Sequence, residues 1–212
     1  DYYASRGLGD VYKRQEHGWE IPNTWDELMT LCNDIQSEGI LPFYFGFKDT
    51  WTCLAPWNSM AVALAPPDLC KQVNKGDANF TDSYREVAEK YLELLNYGPE
   101  DPFAYGYNDA CTAFANGESA MYPIGSYAVP QILSVNPDMN IDSFVTPASD
   151  TKEGNTLNSG VDLMFAVTAD CETKEAAYEV LEFLYEDENI QAYIADQNAI
   201  PCKEGDLSLI HI

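Results

Sequence analysis

The chain has 212 residues, 46% hydrophobic and 13% aromatic, enough for one large domain or two small ones with a proper core. Thirty-five acidic residues against eleven basic ones leave a formal charge of −24. That charge repels phosphate backbones and anionic lipid, and it sets nucleic acid aside as a partner. No stretch reaches the ~18 apolar residues of a spanning helix, and the first residues carry no charged-then-apolar secretion signal.

Both ends look foreign. Arg6–Gln15 and Leu207–Ile212 resemble translated sequencing-adapter readthrough, and neither continues a helical or strand period into its neighbour. Residues 1–15 and 206–212 are therefore treated as non-native termini outside the fold. After Pro22, the run Thr24-Trp25-Asp26-Glu27 is a capping box that predicts a helix. Trp25, Leu28, Met29, Leu31, Cys32 and Ile35 give that helix an apolar stripe, and Gly39 ends it. Ile40–Phe47 is a continuous apolar run that reads as a buried strand.

Lys48–Trp57 reads as a loop carrying two tryptophans and an aspartate, leading into a helix that ends before Pro66-Pro67. Residues 68–80 read as polar turns. Thr81 or Asp82 is the expected cap of a helix with Tyr84, Val87, Ala88, Tyr91, Leu92 and Leu95 on one face, stopped at Gly98-Pro99. Asn108 is the expected cap of a short helix through Asn116.

The stretch Ala115–Leu133 packs three events together. A helix ends at Gly117, a short strand runs Ser119–Pro123, and Gly125-Ser126 opens another helix, presenting Tyr127 beside free backbone N–H groups. Strands are expected at Asp142–Thr146 and Leu163–Thr168, with an exposed loop at Pro147–Ser159 between them. Two helices follow, capped by Thr173 and Asp187. Helices alternating with buried strands make an α/β fold.

Histidine chemistry has almost nothing to work with: His17 and His211 both sit at the suspect ends. No phosphate loop, dinucleotide fingerprint or zinc-protease motif occurs. Cysteines 32, 53, 70, 111, 171 and 202 form no C-x-x-C pair and no zinc-like spacing, so no metal and no cofactor is expected. They read as mostly free, buried thiols. Loop-borne aromatics stand out instead. Flat faces at Trp51 and Tyr127 suit the C–H faces of sugar rings, with neighbouring Asp, Asn and backbone groups for the hydroxyls. Trp57 reads more readily as packing at a core edge. Carboxylates are numerous enough that a secreted carbohydrate-active enzyme with an acid pair stays open as an alternative.

Four motifs in order resemble the extracellular solute-binding proteins of ABC importers, in the carbohydrate-binding family that includes maltose-binding protein. They are Pro22-Asn-Thr-Trp-Asp-Glu-Leu, Gly39-Ile-Leu-Pro-Phe-Tyr-Phe-Gly with Asp49-Thr-Trp51, Ala113-Phe-Ala-Asn-Gly-Glu-Ser-Ala-Met121 with Gly125-Ser-Tyr127, and Glu175-Ala-Ala through Ile200-Pro201. The resemblance implies a type II periplasmic-binding-protein-like clamp, seen as a fragment. Residues 16–160 would be most of the second lobe. Residues 161–205 would supply a hinge strand, Leu163–Thr168, and helices docking on a missing first lobe. Leu181, Leu184 and Ile194 would then be poorly covered.

The same resemblance implies a non-enzymatic receptor that binds a sugar, or another solute in the same clamp, and delivers it to permease subunits. It would act as a monomer at the extracellular face or in the periplasm, held to the membrane only through a lipid-anchored N-terminus absent here. Tyr127 matches the family's stacking aromatic after Gly125 and Ser126. Trp51, beside Asp49, matches a contact after the first strand. Gly160 and Asp162 match a hinge segment that bonds sugar hydroxyls, with Val161 where a second glycine is usual. Trp57 matches no family role.

Overall fold

The computed structural model of the chain describes residues 2–161, 163–197, 199, 201 and 203, with side-chain surroundings from Gly7 onward except at Val161. Two compact units emerge from the contacts: Ser5–Asn158, and a smaller one formed by Ser159 onward with the first four residues.

The larger unit is built on a mixed sheet. In chain order its elements are β1 (Tyr2–Asp10), α1 (Val11–His17), α2 (Trp25–Ser37), β2 (Leu41–Phe43), α3 (Leu54–Leu64), α4 (Leu69–Lys75), α5 (Phe80–Ser83), α6 (Arg85–Leu94), α7 (Tyr107–Ala115), β3 (Ser119–Gly125), α8 (Val129–Val135) and β4 (Ile141–Phe144). The strand order is β2-β3-β1-β4. β2 runs parallel to β3, while β1 is antiparallel to both β3 and β4.

Strand periodicity sends alternate residues to opposite faces. Phe43, Phe45 and Met121 enter one core with Trp25, Leu28, Cys32, Ile35, Met60, Val87 and Leu94, from α2, α3 and α6. Tyr44, Tyr122 and Ile124 enter the other with Leu8, Cys111, Phe114 and Ile132, from β1, α7 and α8. All seven residues of β3 are buried because both faces are covered. Each fully buried large side chain contributes about 1.5–3 kcal/mol, so this double-faced core outweighs any single polar contact in the unit.

Several expectations are corrected. Residues 6–15, set outside the fold by their sequence, lie inside it: Ser5–Gly9 pairs with Met121–Gly125, Leu8 is fully buried, and Asp10 caps α1. This strand is glycine-rich and brings one large apolar side chain to the core, so it shows no alternation to read. Residues 206–212 lie outside the described residues. The strand expected over Ile40–Phe47 shortens to Leu41–Phe43, although Phe43–Phe47 stays buried throughout. Residues 68–80 hold α4, and Trp57 falls inside α3.

Helix starts differ as well. Asn79, accepting from the Asp82 backbone N–H at 2.9 Å, opens the single turn α5, and α6 begins only at Arg85. At α2 the Thr24 hydroxyl accepts from Glu27 N–H at 3.3 Å, while Glu27 reaches past the cap to Asn23 N–H at 2.6 Å. The expected strand Leu163–Thr168 is irregular chain; β5 (Asn158–Val161) comes just before it.

In the smaller unit, α9 (Lys174–Leu184) and α10 (Asp187–Gln197) form a helix pair. Ile190, Ile194 and Ala199 make a small core with Tyr193 against it. Ile194 is thus fully buried, against the expectation of poor cover, whereas Leu181 and Leu184 are only half-buried. No residue of α9 is buried, and Tyr178, Val180 and Phe183 are all more than half exposed.

The free cysteines include Cys32 and Cys111, buried as expected, but Cys53 and Cys171 are half-buried and Cys70 is exposed. Cys202 lies outside the described residues. Burial pushes the Cys32 thiol well above its ordinary range.

Loop 147–155 is closed by Asn155. Its Oδ1 accepts from the N–H groups of Ala148 and Ser149, both at 2.8 Å, and its Nδ2 donates to the carbonyls of Asn23, Ser149 and Thr151. Lys90 fastens the same loop to α6 through the Ala148 carbonyl at 2.6 Å, with its ammonium over the Trp25 ring. Replacing Asn155 with Ala should cost about 2–3 kcal/mol, since net hydrogen bonds are worth ~1 kcal/mol each and the stranded backbone groups reach water only in part. Urea unfolding checks this; a loss below about 0.5 kcal/mol would mean that the loop holds without its amide.

Candidate functional site

The site is assembled where the chain leaves β2 and where it enters α7 and α8. After Phe47 a loop leads to the single 3-10 turn Thr50–Cys53, which carries Trp51. Thr52 fixes this turn by donating its hydroxyl to the carbonyls of Gly46 and Asp49, both at 2.9 Å. The first N–H groups of a helix lack intrahelical partners, and α7 begins here without a side-chain cap from its own N-cap residue. Its Tyr107 N–H instead donates to Asp49 Oδ2 at 2.7 Å, across 58 residues of chain. The carboxylate also suits the positive end of the helix dipole.

Asp109 completes the arrangement by accepting from the Gly106 N–H at 3.0 Å. Glycine at 106 leaves room for this clasp, since a Cβ there would lie 2.7 Å from Asp49 Oδ2 and push the carboxylate aside. Asn108, the expected cap, is the second residue of the helix. The cap comes from a distant loop, which no local pattern reveals.

At the end of β3, Gly125 leads into the 3-10 turn Ser126–Ala128 and then α8. Tyr127 folds back over Gly125 so closely that a Cβ there would sit 2.1 Å from its ring. Three rings therefore converge. Trp51 lies 5.1 Å from Tyr107 and 5.9 Å from Tyr127, centroid to centroid, and Tyr107 lies 6.4 Å from Tyr127. The planes are inclined by 43–50°, so the rings form a faceted surface and not a flat stack. Trp51 is 47% exposed, while Tyr107 and Tyr127 are half-buried.

Beneath them lie Cys111 and Tyr122. Burial pushes the Cys111 thiol up to about 11, opposed by the hydroxyls of Tyr107 and Tyr122 beside it. Burial likewise raises both phenols far above their ordinary value. The floor of the site is neutral at physiological pH.

Of the residues singled out in the sequence, Trp51, Tyr127 and Gly125 meet in this cluster. Ser126 is buried beside them. Asp49 is adjacent, with one carboxylate oxygen engaged on α7. Trp57 sits apart in α3, packed on Tyr84 and Tyr91 at 5.8 and 5.9 Å. Gly160 is exposed in β5 of the smaller unit, and Asp162 lies outside the described residues. Tyr107 was missed. Its signal was present: two tyrosines flank Gly106 in a polar loop, a second place where a glycine and a tyrosine meet at a helix start.

The sequence profile described as bacterial extracellular solute-binding protein matches residues 8–191. A multiple sugar-binding protein of Streptococcus mutans is 26% identical over 191 residues, covering 85% of this chain and 45% of that protein. Among solved structures, the solute-binding protein RafE in complex with raffinose superposes with a TM-score of 0.80 at 24% identity, over 98% of this chain and 57% of its own. A chitin oligosaccharide binding protein reaches 0.85 at 24% identity, over 98% of this chain and 54% of its own. The chain spans about half the length of these relatives, and the shared fold is the α/β clamp architecture. On the match across residues 8–191, the chain belongs to the bacterial extracellular solute-binding protein family.

Proposed function

We propose that this chain is part of a non-enzymatic, extracellular receptor that binds a saccharide and hands it to the permease subunits of an ABC importer. The observation that carries this reading is the convergence of Trp51, Tyr107 and Tyr127 over a neutral floor. Inclined aromatic faces give a pyranose ring apolar contact on its C–H side without demanding charge. The relatives named for sugars, and the raffinose-bound neighbour, support the same ligand class. Ser126 and Gly125, buried in the turn into α8, are assigned the polar backbone side of the site, and Gly160 and Asp162 are assigned a hinge-side role.

Within this reading, residues 16–160 make up most of one lobe and residues from about 161 contribute hinge and docking elements to the other. Tyr178, Val180 and Phe183 on α9 then face a surface supplied by the rest of the protein. Among the described residues no helix is long and apolar enough to cross a membrane. A lipid-anchored, monomeric receptor in the periplasm or at the outer face of the cell membrane fits this arrangement.

Binding is tested on the intact protein by thermal shift across a panel of neutral sugars, with product analysis on the same samples. Stabilisation by at least one saccharide without turnover is expected; release of a hydrolysed product would sink the receptor reading. Trp51→Ala and Tyr127→Ala should each weaken that ligand about three- to tenfold, the worth of one aromatic contact. Gly125→Ala should do the same by pushing the Tyr127 ring away.

Asp49 separates two roles. As a cap on α7, Asp49→Ala should lose about 1–2 kcal/mol of stability, and Asp49→Asn, an equally good cap, should retain both stability and affinity. If Asp49→Asn keeps stability but loses affinity, the carboxylate contacts the ligand directly.

A further inference from the structure

Tyr105 is not part of the three-ring cluster, yet it is built into the same framework. Its ring is 40% exposed and leans on Tyr44, with centroids 5.4 Å apart and planes inclined by 58°. Tyr44 is rooted in the buried core that also supports Tyr107 and Tyr127. Its loop is fixed at both ends of the relevant stretch. Phe47 N–H donates to the Pro102 carbonyl at 3.1 Å, and Lys48 N–H donates to the Tyr105 carbonyl at 3.0 Å. One residue further on comes the Asp49 clasp on Tyr107.

The exposed ring is therefore held in place before any ligand arrives. It does not have to be ordered at an entropic cost of roughly 1 kcal/mol or more per side chain. Tyr105 and Tyr107 have Cα atoms at most about 7 Å apart, the order of one sugar ring. Polar groups accompany the ring. Asp109 holds its carboxylate on the N–H of Gly106, between the two tyrosines, and burial, with Tyr105, Glu118 and Asp109 each adding to the rise, pushes the Tyr44 phenol up to about 12. Both carboxylate residues are exposed. An ionised carboxylate offers about four acceptor sites, and Asp109 uses one oxygen on Gly106. An exposed aromatic face flanked by acceptors repeats, one step along the surface, the composition of the first cluster.

We propose that Tyr105, with Asp109 as an acceptor for hydroxyl groups, forms a second subsite that receives a further ring of an oligosaccharide whose first ring rests on Trp51, Tyr107 and Tyr127. The inference rests on the saccharide reading above and adds to it the length of the ligand. It makes this receptor selective for chains over single sugars, because the second ring is engaged only when the ligand is long enough to reach it.

The test compares wild-type intact protein with Tyr105→Ala and Tyr105→Phe, by calorimetric titration against two ladders of ligands. One runs galactose, melibiose, raffinose and stachyose; the other runs from N-acetylglucosamine to its β-1,4-linked tetramer. Wild type should bind tighter as the ladder lengthens. Tyr105→Ala should weaken the longer members about three- to tenfold and leave the monosaccharide unchanged. Tyr105→Phe keeps the ring and should follow wild type to within about twofold.

Equal loss at every length, or no loss at any length in a wild type that does bind, overturns the second subsite and leaves the receptor reading intact. A wild type that binds no member of either ladder, but is stabilised by a charged solute, overturns both. Melting temperatures of the variants guard against misfolding, and Tyr105→Phe keeps the test decisive if the alanine variant fails to fold.

Discussion

One contact organises the site: the carboxylate of Asp49 on the N–H of Tyr107. A helix that begins without a cap leaves a partial positive charge and unsatisfied donors at its first turn. Here that deficit is met from a loop 58 residues earlier in the chain, and the consequence is spatial. The strand exit carrying Trp51 and the helix start carrying Tyr107 become a single rigid corner. A cap of this kind contributes about 0.5–2 kcal/mol, small beside the two-sided core. What it determines is position. An exposed indole on an unpinned loop would be ordered only by its ligand, and the entropy of ordering would offset much of the contact it makes.

How much of this was legible in the sequence follows from how local each cause is. The helix from Trp25 was readable because its cap, stripe and stop are all encoded within fifteen residues. So was the turn at Gly125, where a glycine and a tyrosine two residues on must fold together. The start of α7 was not, because its cap is remote; the local candidate, Asn108, was a reasonable choice that tertiary structure overrode. α4 was hidden inside polar residues whose burial amounts to one leucine, Leu69. β1 was hidden differently: glycines at 7 and 9 remove the side chains that alternation depends on, and its place in the sheet is set by β3 and β4 on either side. The family resemblance was carried by four local motifs, and it too was silent about Tyr107.

The charge of −24 and the neutral floor of the site belong together. Thirty-five acids against eleven bases favour solubility and discourage anionic partners. They would draw cations to almost any cleft, so a cationic ligand would gain little selectivity from this one. An uncharged polyol is indifferent to that field. It loses water at modest cost and is recognised by shape and aromatic contact, the two things that Trp51, Tyr107 and Tyr127 provide.

The same magnitudes limit what this surface does alone. Three aromatic contacts at about 0.5–1.5 kcal/mol each give roughly 1.5–4.5 kcal/mol, against an association cost that begins near 4 kcal/mol. Hydrogen bonds at an open rim exchange with water and add little net free energy. A dissociation constant of 1 μM corresponds to about 8 kcal/mol, so three aromatic contacts alone would hold a small neutral ligand only weakly. The exposed apolar surfaces of the two units differ in character. Around Trp51 three rings converge, with Asp49 tied to the start of α7. Along α9 and its C-cap, exposed Tyr178 and Tyr185 recur at helical spacing with half-buried Leu181 between them, and exposed Val180 and Phe183 stand beside them. A stripe three to four residues in period suits a protein surface and not a small ligand.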